Sequence, residues 1–340
     1  MDGSFRRTNT IDLQALKKGI LNHEMASLSK SITLVESQSP LHRKLAMDLL
    51  ESLTGINSTP SKRIGITGVP GVGKSTFIEN FGCMLTGMGH RVAVLSIDPS
   101  SAKSRGSILG DKTRMEKLVK EPNAYIRPSA SGLELGGVAR ATKEAILLCE
   151  AAGYDTIIVE TVGVGQSETA VKSIVDYFLL LMLPGGGDEL QGIKRGIMEM
   201  ADHIVINKSD GERKKLAKKS AVEYRNAVHL MPPHEAGWVV PVEVCSALEQ
   251  QGLEEIWGSI ERYFTKHGGW LSHNRKSQEL HHFKNGFLQL IEQHVMGNEK
   301  ARTLLHGLEQ NLKDGSLNAS KAITMANEAL LENLFAGKGQ

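Results

Sequence analysis

Residues Gly68, Val69, Pro70, Gly71, Val72, Gly73, Lys74, Ser75 and Thr76 put three glycines, a lysine and two hydroxyls into nine consecutive positions. That spacing serves the holding of phosphate. Glycines at 68, 71 and 73 allow backbone conformations closed to other residues, so successive N–H groups can turn inward on phosphate oxygens. Lys74 adds a point charge near the terminal phosphates, and the Ser75 hydroxyl is a hard oxygen of the kind that ligates Mg²⁺. The string is a complete Walker A loop. It stands after the strand-like run Arg63 to Thr67 and before a stretch that reads as helical from near Phe77, and that context separates a nucleotide site from a plain glycine turn. A helix there would direct its positive N-terminal end at the anion.

A second group of residues reads a base. Asn207-Lys208-Ser209-Asp210 follows the apolar run His203 to Ile206. An aspartate two residues beyond the lysine can accept hydrogen bonds from the N1–H and exocyclic amine of guanine. The lysine stem would cover the base, and Asn207 would tie the loop to the phosphate loop. Adenine offers no such pair of donors, and a carboxylate left unpaired is penalised heavily, so discrimination on the order of 10⁴ is expected of such a site. Ser246-Ala247-Leu248, after the run ending at Val244, resembles the last guanine-contacting loop of GTPases.

Carboxylates fill the space between these motifs. Asp98 follows the run Arg91 to Ile97, Asp111 follows the Gly-rich stretch Gly106 to Gly110, and Glu160 follows Thr156 to Val159. A lone carboxylate at a strand end is usually a helix cap or a surface charge. Three in order around one phosphate loop, with Ser75, suit Mg²⁺ and catalysis. Glu160-Thr161-Val162-Gly163 has the spacing of the Asp-x-x-Gly element whose glycine N–H senses the γ-phosphate, with Glu replacing Asp, and is expected to switch with nucleotide state. Val164 stands where Ras-like GTPases carry a water-orienting glutamine, so intrinsic hydrolysis is expected to be slow. Asp98 could orient water instead, and Gln166 is displaced from the usual position.

The elements that must position these residues follow from apolar patterning. Ile11 to about Ile56 is helical in period, with Leu13, Leu16, Ile20 and Leu21 on one face and Leu45, Leu49, Leu50 and Leu53 on another; Gly55 and Pro60 mark the exit. Between about Lys62 and Phe264, the strand-like runs Arg91 to Ile97, Thr156 to Val159, Phe178 to Leu183, His203 to Ile206 and Val239 to Val244 alternate with helical stretches. Such repetition implies an α/β fold with a doubly wound, mainly parallel sheet. Each polar motif falls just after a strand, where such sheets bind ligands. After Gly268 and Gly269 the composition changes, and Gln278 to Met296, Glu299 to Lys313 and Leu317 to Phe335 read as helices. The expected organisation is a helical extension at 1–60, a P-loop GTPase core at 61–267 and a helical region at 268–340.

Composition limits the partners. In 340 residues, 40 Lys and Arg face 38 Asp and Glu, a formal charge of +2 that gives no electrostatic case for nucleic acid or an anionic membrane. Cys83, Cys149 and Cys245 are far apart, without a Cys-x-x-Cys, and read as buried apolar residues rather than a disulfide or zinc framework. The most apolar run, Tyr177 to Leu183, is too short to span a membrane and suits a buried strand. Asp2 and Asp12 flank Arg6 and Arg7 without a signal-peptide core, so the expected compartment is cytoplasmic.

The ordered set of strings at 68–76, 98–101 (Asp-Pro-Ser-Ser), 106–115 (Gly-Ser-Ile-Leu-Gly-Asp-Lys-Thr-Arg-Met), 160–168 (Glu-Thr-Val-Gly-Val-Gly-Gln-Ser-Glu) and 187–194 (Gly-Asp-Glu-Leu-Gln-Gly-Ile-Lys) resembles the MeaB/MMAA/ArgK family of SIMIBI-class P-loop GTPases. The likeness runs from about Lys44 to Phe264, and strings of that length are not generic to P-loops. It implies a GTP-dependent chaperone of an adenosylcobalamin-dependent acyl-CoA mutase, chiefly methylmalonyl-CoA mutase, that gates cofactor delivery from a cobalamin adenosyltransferase. Carried over, Lys74, Ser75 and Thr76 hold phosphates and metal; Asp98, Asp111 and Glu160 form the magnesium and catalytic group; Asn207, Lys208 and Asp210 hold the base. Gly187 to Arg195 resembles the family's third switch, with Asp188, Glu189, Gln191 and Lys194 coupling nucleotide state to the mutase. From the residues alone, that segment is a Gly-rich loop after a strand. The resemblance also implies a homodimer through the C-terminal helices, with GTP or GDP and Mg²⁺ as bound groups. Val69 and Pro70 stand where deviant Walker ATPases carry a lysine. Two alternatives from other classes are a kinase of a periplasmic amino-acid-binding transport protein and a nickel-insertion GTPase. For the latter, the histidines His273, His281 and His282 lie in the distant tail.

Overall fold

Leu16, Ile20, Leu28, Ile32, Val35 and Leu49 recur at helical spacing and are buried, on the three helices α1 (Leu13–Leu21), α2 (Met25–Glu36) and α3 (Pro40–Leu53). Asp12 caps α1, its side chain accepting from the N–H groups of Gln14 and Ala15 at 3.0 Å each. The computed structural model describes residues 11–56, 61–97, 115–128, 135–161, 167–185 and 195–335.

The sheet follows. In chain order its elements are β1 (Lys62–Gly68), α4 (Lys74–Gly87), β2 (Val92–Ile97), β3 (Ala124–Pro128), α5 (Leu135–Ala151), β4 (Thr156–Thr161), α6 (Ser167–Lys172) and β5 (Tyr177–Met182). They continue with α7 (Arg195–Met200), β6 (His203–Ile206), α8 (Arg213–His229), β7 (Val242–Val244) and α9 (Leu253–Lys266). The strands pair in the order β3-β2-β4-β1-β5-β6-β7, every pairing parallel. Both faces of a parallel sheet must be covered, and the strand residues alternate between the two faces, where they join three apolar clusters. Ala93, Leu95, Ile157 and Val159 join the cluster of α1, α2, α3, α5 and α6. Val92, Val94, Ile64, Ile66 and Ile158 join Phe77 and Phe81 of α4 and Trp257 and Ile260 of α9. Leu180, Met182, Ile204 and Ile206 pack under α7 and α8.

The structure corrects several boundaries. Helix α4 starts at Lys74, not near Phe77, because Lys-Ser-Thr is itself the first turn. β3 carries no strand-like run long enough to be read from the sequence. β7 covers only Val242–Val244 of the expected Val239 to Val244, since Pro241 has no N–H to give to a ladder. Helix α10 (Gly268–Gly297) begins at the two glycines expected to separate segments and runs unbroken through Gln278. Cys149 and Cys245 are buried, whereas Cys83 is half-exposed.

The chain divides into two units, Met1–Gln278 and Glu279–Gln340. In the second, the end of α10 is followed by α11 (Glu299–Lys313), capped by Asn298, and α12 (Ala319–Phe335), which pack on each other. Among the described residues no helix is long and apolar enough to cross a membrane.

Candidate nucleotide site

The loop between β1 and α4 has a shape that only glycine permits at two points. A Cβ on Gly68 would lie 2.5 Å from the Leu181 carbonyl oxygen of β5, so the chain leaves β1 against its neighbour without room for a side chain. Gly73 sits at φ 92° in the left-handed region and precedes α4, which has no side-chain cap. The N–H groups of the first turn of α4, at Lys74, Ser75 and Thr76, are therefore open to an anion at the positive end of the helix. Lys74 Nζ donates to the Gly68 carbonyl at 2.8 Å. Burial lowers the pKa of Lys74, and the charges of Glu160 and Glu168 oppose that shift.

Glu160 lies on β4 between Ile66 of β1 and Ser96 of β2. Ser75 Oγ is 3.5 Å from its Oε1, and Ser96 Oγ is 3.4 Å from its Oε2. One residue on, Thr161 Oγ1 donates to Thr67 Oγ1 at 2.7 Å, locking the ends of β4 and β1 together. A hydroxyl and a carboxylate so placed, both hard oxygens, fit Mg²⁺. Asp98, Asp111, Gly163, Val164, Gln166, Asp188, Glu189, Gln191 and Lys194 lie outside the described residues.

The loops expected to read the base follow β6 and β7, which pair side by side. Asn207, 2% exposed, donates from Nδ2 to the Val72 carbonyl at 2.9 Å and accepts the Ala247 N–H at 3.0 Å. It thus ties the phosphate loop to its own loop after β6, as its place in the sequence suggested, and also to the loop after β7. Ser209 N–H reaches the Cys245 carbonyl at 3.0 Å. Lys208 is held at φ 58°, with Cε 3.7 Å from where a Gly73 Cβ would be, so its stem runs beside the phosphate loop. The Asp210 carboxylate is half-exposed and has no hydrogen-bond partner among the described residues. Ser246 and Ala247 are buried and Leu248 is 72% exposed at the loop tip.

Lys74, Ser75, Glu160, Asn207, Lys208, Asp210, Ser246 and Ala247 therefore come together at the carboxyl ends of β1, β4, β6 and β7. Sequence reasoning missed Ser96 and Asn80. Asn80 is 6% exposed on α4, and its signal was a lone amide among Phe77, Ile78 and Phe81.

Residues 28–300 match the profile of a family described as "Methylmalonyl Co-A mutase-associated GTPase MeaB". The chain belongs to the MeaB family. As a MeaB-family member it is a GTPase, on the seven-stranded parallel P-loop scaffold described above. It is 46% identical over 316 residues to a probable GTPase of Mycobacterium tuberculosis, spanning 92% of this chain and 93% of that protein. It is 42% identical over 325 residues to a mouse protein named "Methylmalonic aciduria type A homolog, mitochondrial", spanning 92% of this chain and 78% of that protein. Among solved structures, one described as "LAO/AO transport system kinase" superposes with a TM-score of 0.74 at 34% identity, covering 94% of this chain and 99% of that one.

Proposed function

We propose that this MeaB-family GTPase is a chaperone of an adenosylcobalamin-dependent acyl-CoA mutase, most directly methylmalonyl-CoA mutase, which uses GTP to time cofactor delivery and to protect or reactivate its client. One observation carries this reading: the family match reaches from residue 28 to residue 300, well beyond the phosphate loop on both sides. The partner is the one named in the family's description, with a cobalamin adenosyltransferase as the upstream source of cofactor. The proposed setting is the cytoplasm.

In this reading the backbone from Gly68 to Gly73 and the first turn of α4 hold the phosphates, with Lys74 beside the terminal ones. Ser75 and Glu160, with Asp98 and Asp111, hold Mg²⁺, which when bound neutralises charge on the phosphate oxygens. Thr161 and Thr67 fix the strand ends from which the Gly163 segment departs, so a change at the γ-phosphate is passed to that segment. Asp98 orients the attacking water, and with Val164 in place of a glutamine the unassisted reaction is slow. Asp188, Glu189, Gln191 and Lys194 couple nucleotide state to the mutase. Apo-mutase mixed with this protein, GTP and an adenosylcobalamin-loaded transferase is expected to acquire cofactor only as GTP is hydrolysed. Equal loading with GDP, or without nucleotide, would overturn the reading.

The description of the solved relative as a kinase favours one second reading, phosphorylation of a transport protein. Transfer of labelled γ-phosphate from ATP to a protein acceptor, without preference for GTP, would establish it in place of the first.

A further inference from the structure

The loop from Ser246 to Gln251 is fastened more heavily than a surface turn requires. Ser246 and Gln251 exchange two backbone hydrogen bonds, at 3.0 and 3.1 Å, and Ser246 Oγ accepts the Glu249 N–H at 3.1 Å. Gln250 is held at φ 56°, a left-handed conformation that persists in a side-chain-bearing residue only when its surroundings impose it. The restraint is visible: Gln250 Nε2 donates to Asn80 Oδ1 at 3.2 Å. Asn80 Nδ2 in turn donates to the Ala247 carbonyl at 2.9 Å. The Ala247 N–H goes to Asn207, and Asn207 to Val72 of the phosphate loop. One unbroken chain of amide hydrogen bonds thus joins the phosphate loop, both base loops and α4.

Asn80 occupies a costly place for this purpose. It is 6% exposed, on a helix face whose neighbours Phe77, Ile78 and Phe81 are buried. A buried amide is tolerated only when its donors and acceptors are met, and here they are met by the base loop. With both backbone groups of Ala247 committed, the Leu248 N–H, which has no partner among the described residues, is the donor left to meet a purine at position 6.

We infer that Asn80 is a positioning residue for base selection: it sets the backbone of Ala247 and Leu248 at the height where a loop N–H meets O6 of guanine and opposes the 6-amino group of adenine. Two donors face to face leave both unpaired, so a fixed loop rejects adenine and a loose one does not. This rests on the proposed reading of guanine by Asp210 and is independent of the client.

The test uses the full chain and competition binding of GTP, ITP and ATP. In Asn80→Ala the GTP-over-ATP preference falls about 10-fold, the loss expected for one well-made hydrogen bond. The GTP-over-ITP preference is unchanged, because hypoxanthine keeps O6 and lacks only the 2-amino group that Asp210 would read. Asn80→Asp, which turns a carboxylate on the Ala247 carbonyl, loses as much. Gln250→Ala alters an exposed residue that folding tolerates, and shifts the same ratio by about 3-fold. Asp210→Ala must instead collapse the GTP-over-ITP preference; if it does not, the guanine reading fails. If Asp210→Ala behaves so while Asn80→Ala and Gln250→Ala lower only the melting temperature, the role given to Asn80 is overturned.

Discussion

Gly73 shows how much a single position decides. Its φ of 92° is closed to ordinary side chains, and an added Cβ would lie 3.1 Å from Asn207 Nδ2. Gly73→Ala therefore strains the backbone by roughly 1–2 kcal/mol and pushes at the amide that links three loops. We expect GTP and GDP affinity to fall by at least about 10-fold, read by titration with a fluorescent nucleotide; unchanged affinity would show that the loop rearranges freely. At this scale the sequence was informative wherever a residue belongs to a motif string. Lys74, Ser75 and, across 135 residues, the tie from Asn207 to the phosphate loop could all be anticipated. Asn80 belongs to no such string: its lone amide among apolar neighbours marked it but named no partner, and Ala247 and Gln250 lie 167 and 170 residues away. The same holds for Ser96, an ordinary strand residue until β2 and β4 pair and set it against Glu160.

The strands are held from below as well as above. At the amino ends of β1 and β5, Arg63 on β1 makes two hydrogen bonds to Glu150 of α5, at 2.7 and 2.9 Å. Arg275 of α10 binds Asp176 just before β5, at 2.8 and 2.5 Å. Burial alone would raise the Glu150 pKa, but the hydrogen bonds and charge of Arg63, then Ser61 and Arg275, outweigh it and leave the carboxyl below its usual range. A depressed folded pKa contributes stability that is present above the unfolded value and is lost as pH falls through the folded one. Stability should therefore decline from about pH 4.5 downward, 4.5 being the ordinary carboxyl value, and Glu150→Gln should flatten that acid limb in urea melts while lowering stability at pH 7. An unaltered acid limb would remove Glu150 from the account. The strands themselves were legible because a parallel sheet covered on both faces turns β5 into an unbroken apolar run and β2 into one interrupted only by Ser96. β3 was not, since Ala124–Pro128 is a short edge strand carrying Arg127 and Pro128. The start of α10 was misread for a related reason: glycine costs a helix roughly 1 kcal/mol per residue, and the anchoring of Leu271, Arg275 and Gln278, the last donating to the Val175 carbonyl at 2.8 Å, outweighs it.

For the whole molecule, one helix in the described residues presents an uncovered apolar face. Leu280, Phe283, Phe287 and Leu290 recur on one side of α10 and are all more than half exposed, with Phe283 and Phe287 stacked at 6.2 Å. Apolar side chains at that spacing call for a partner surface, and we propose a second copy of this chain. The double variant Phe283→Asp, Phe287→Asp should sediment as a monomer where the parent chain is a dimer, and a parent chain that is monomeric at micromolar concentration would rule the dimer out. The proposed function calls for a second surface, one that meets the mutase, and its central claim is that nucleotide state is communicated there. The most direct measurement is the affinity of this protein for an adenosylcobalamin-dependent acyl-CoA mutase, titrated once with GDP and once with a nonhydrolysable GTP analogue. A difference of about 5- to 150-fold, the usual range of allosteric coupling, is the predicted result; equal affinity in the two states, or no binding in either, would contradict the account.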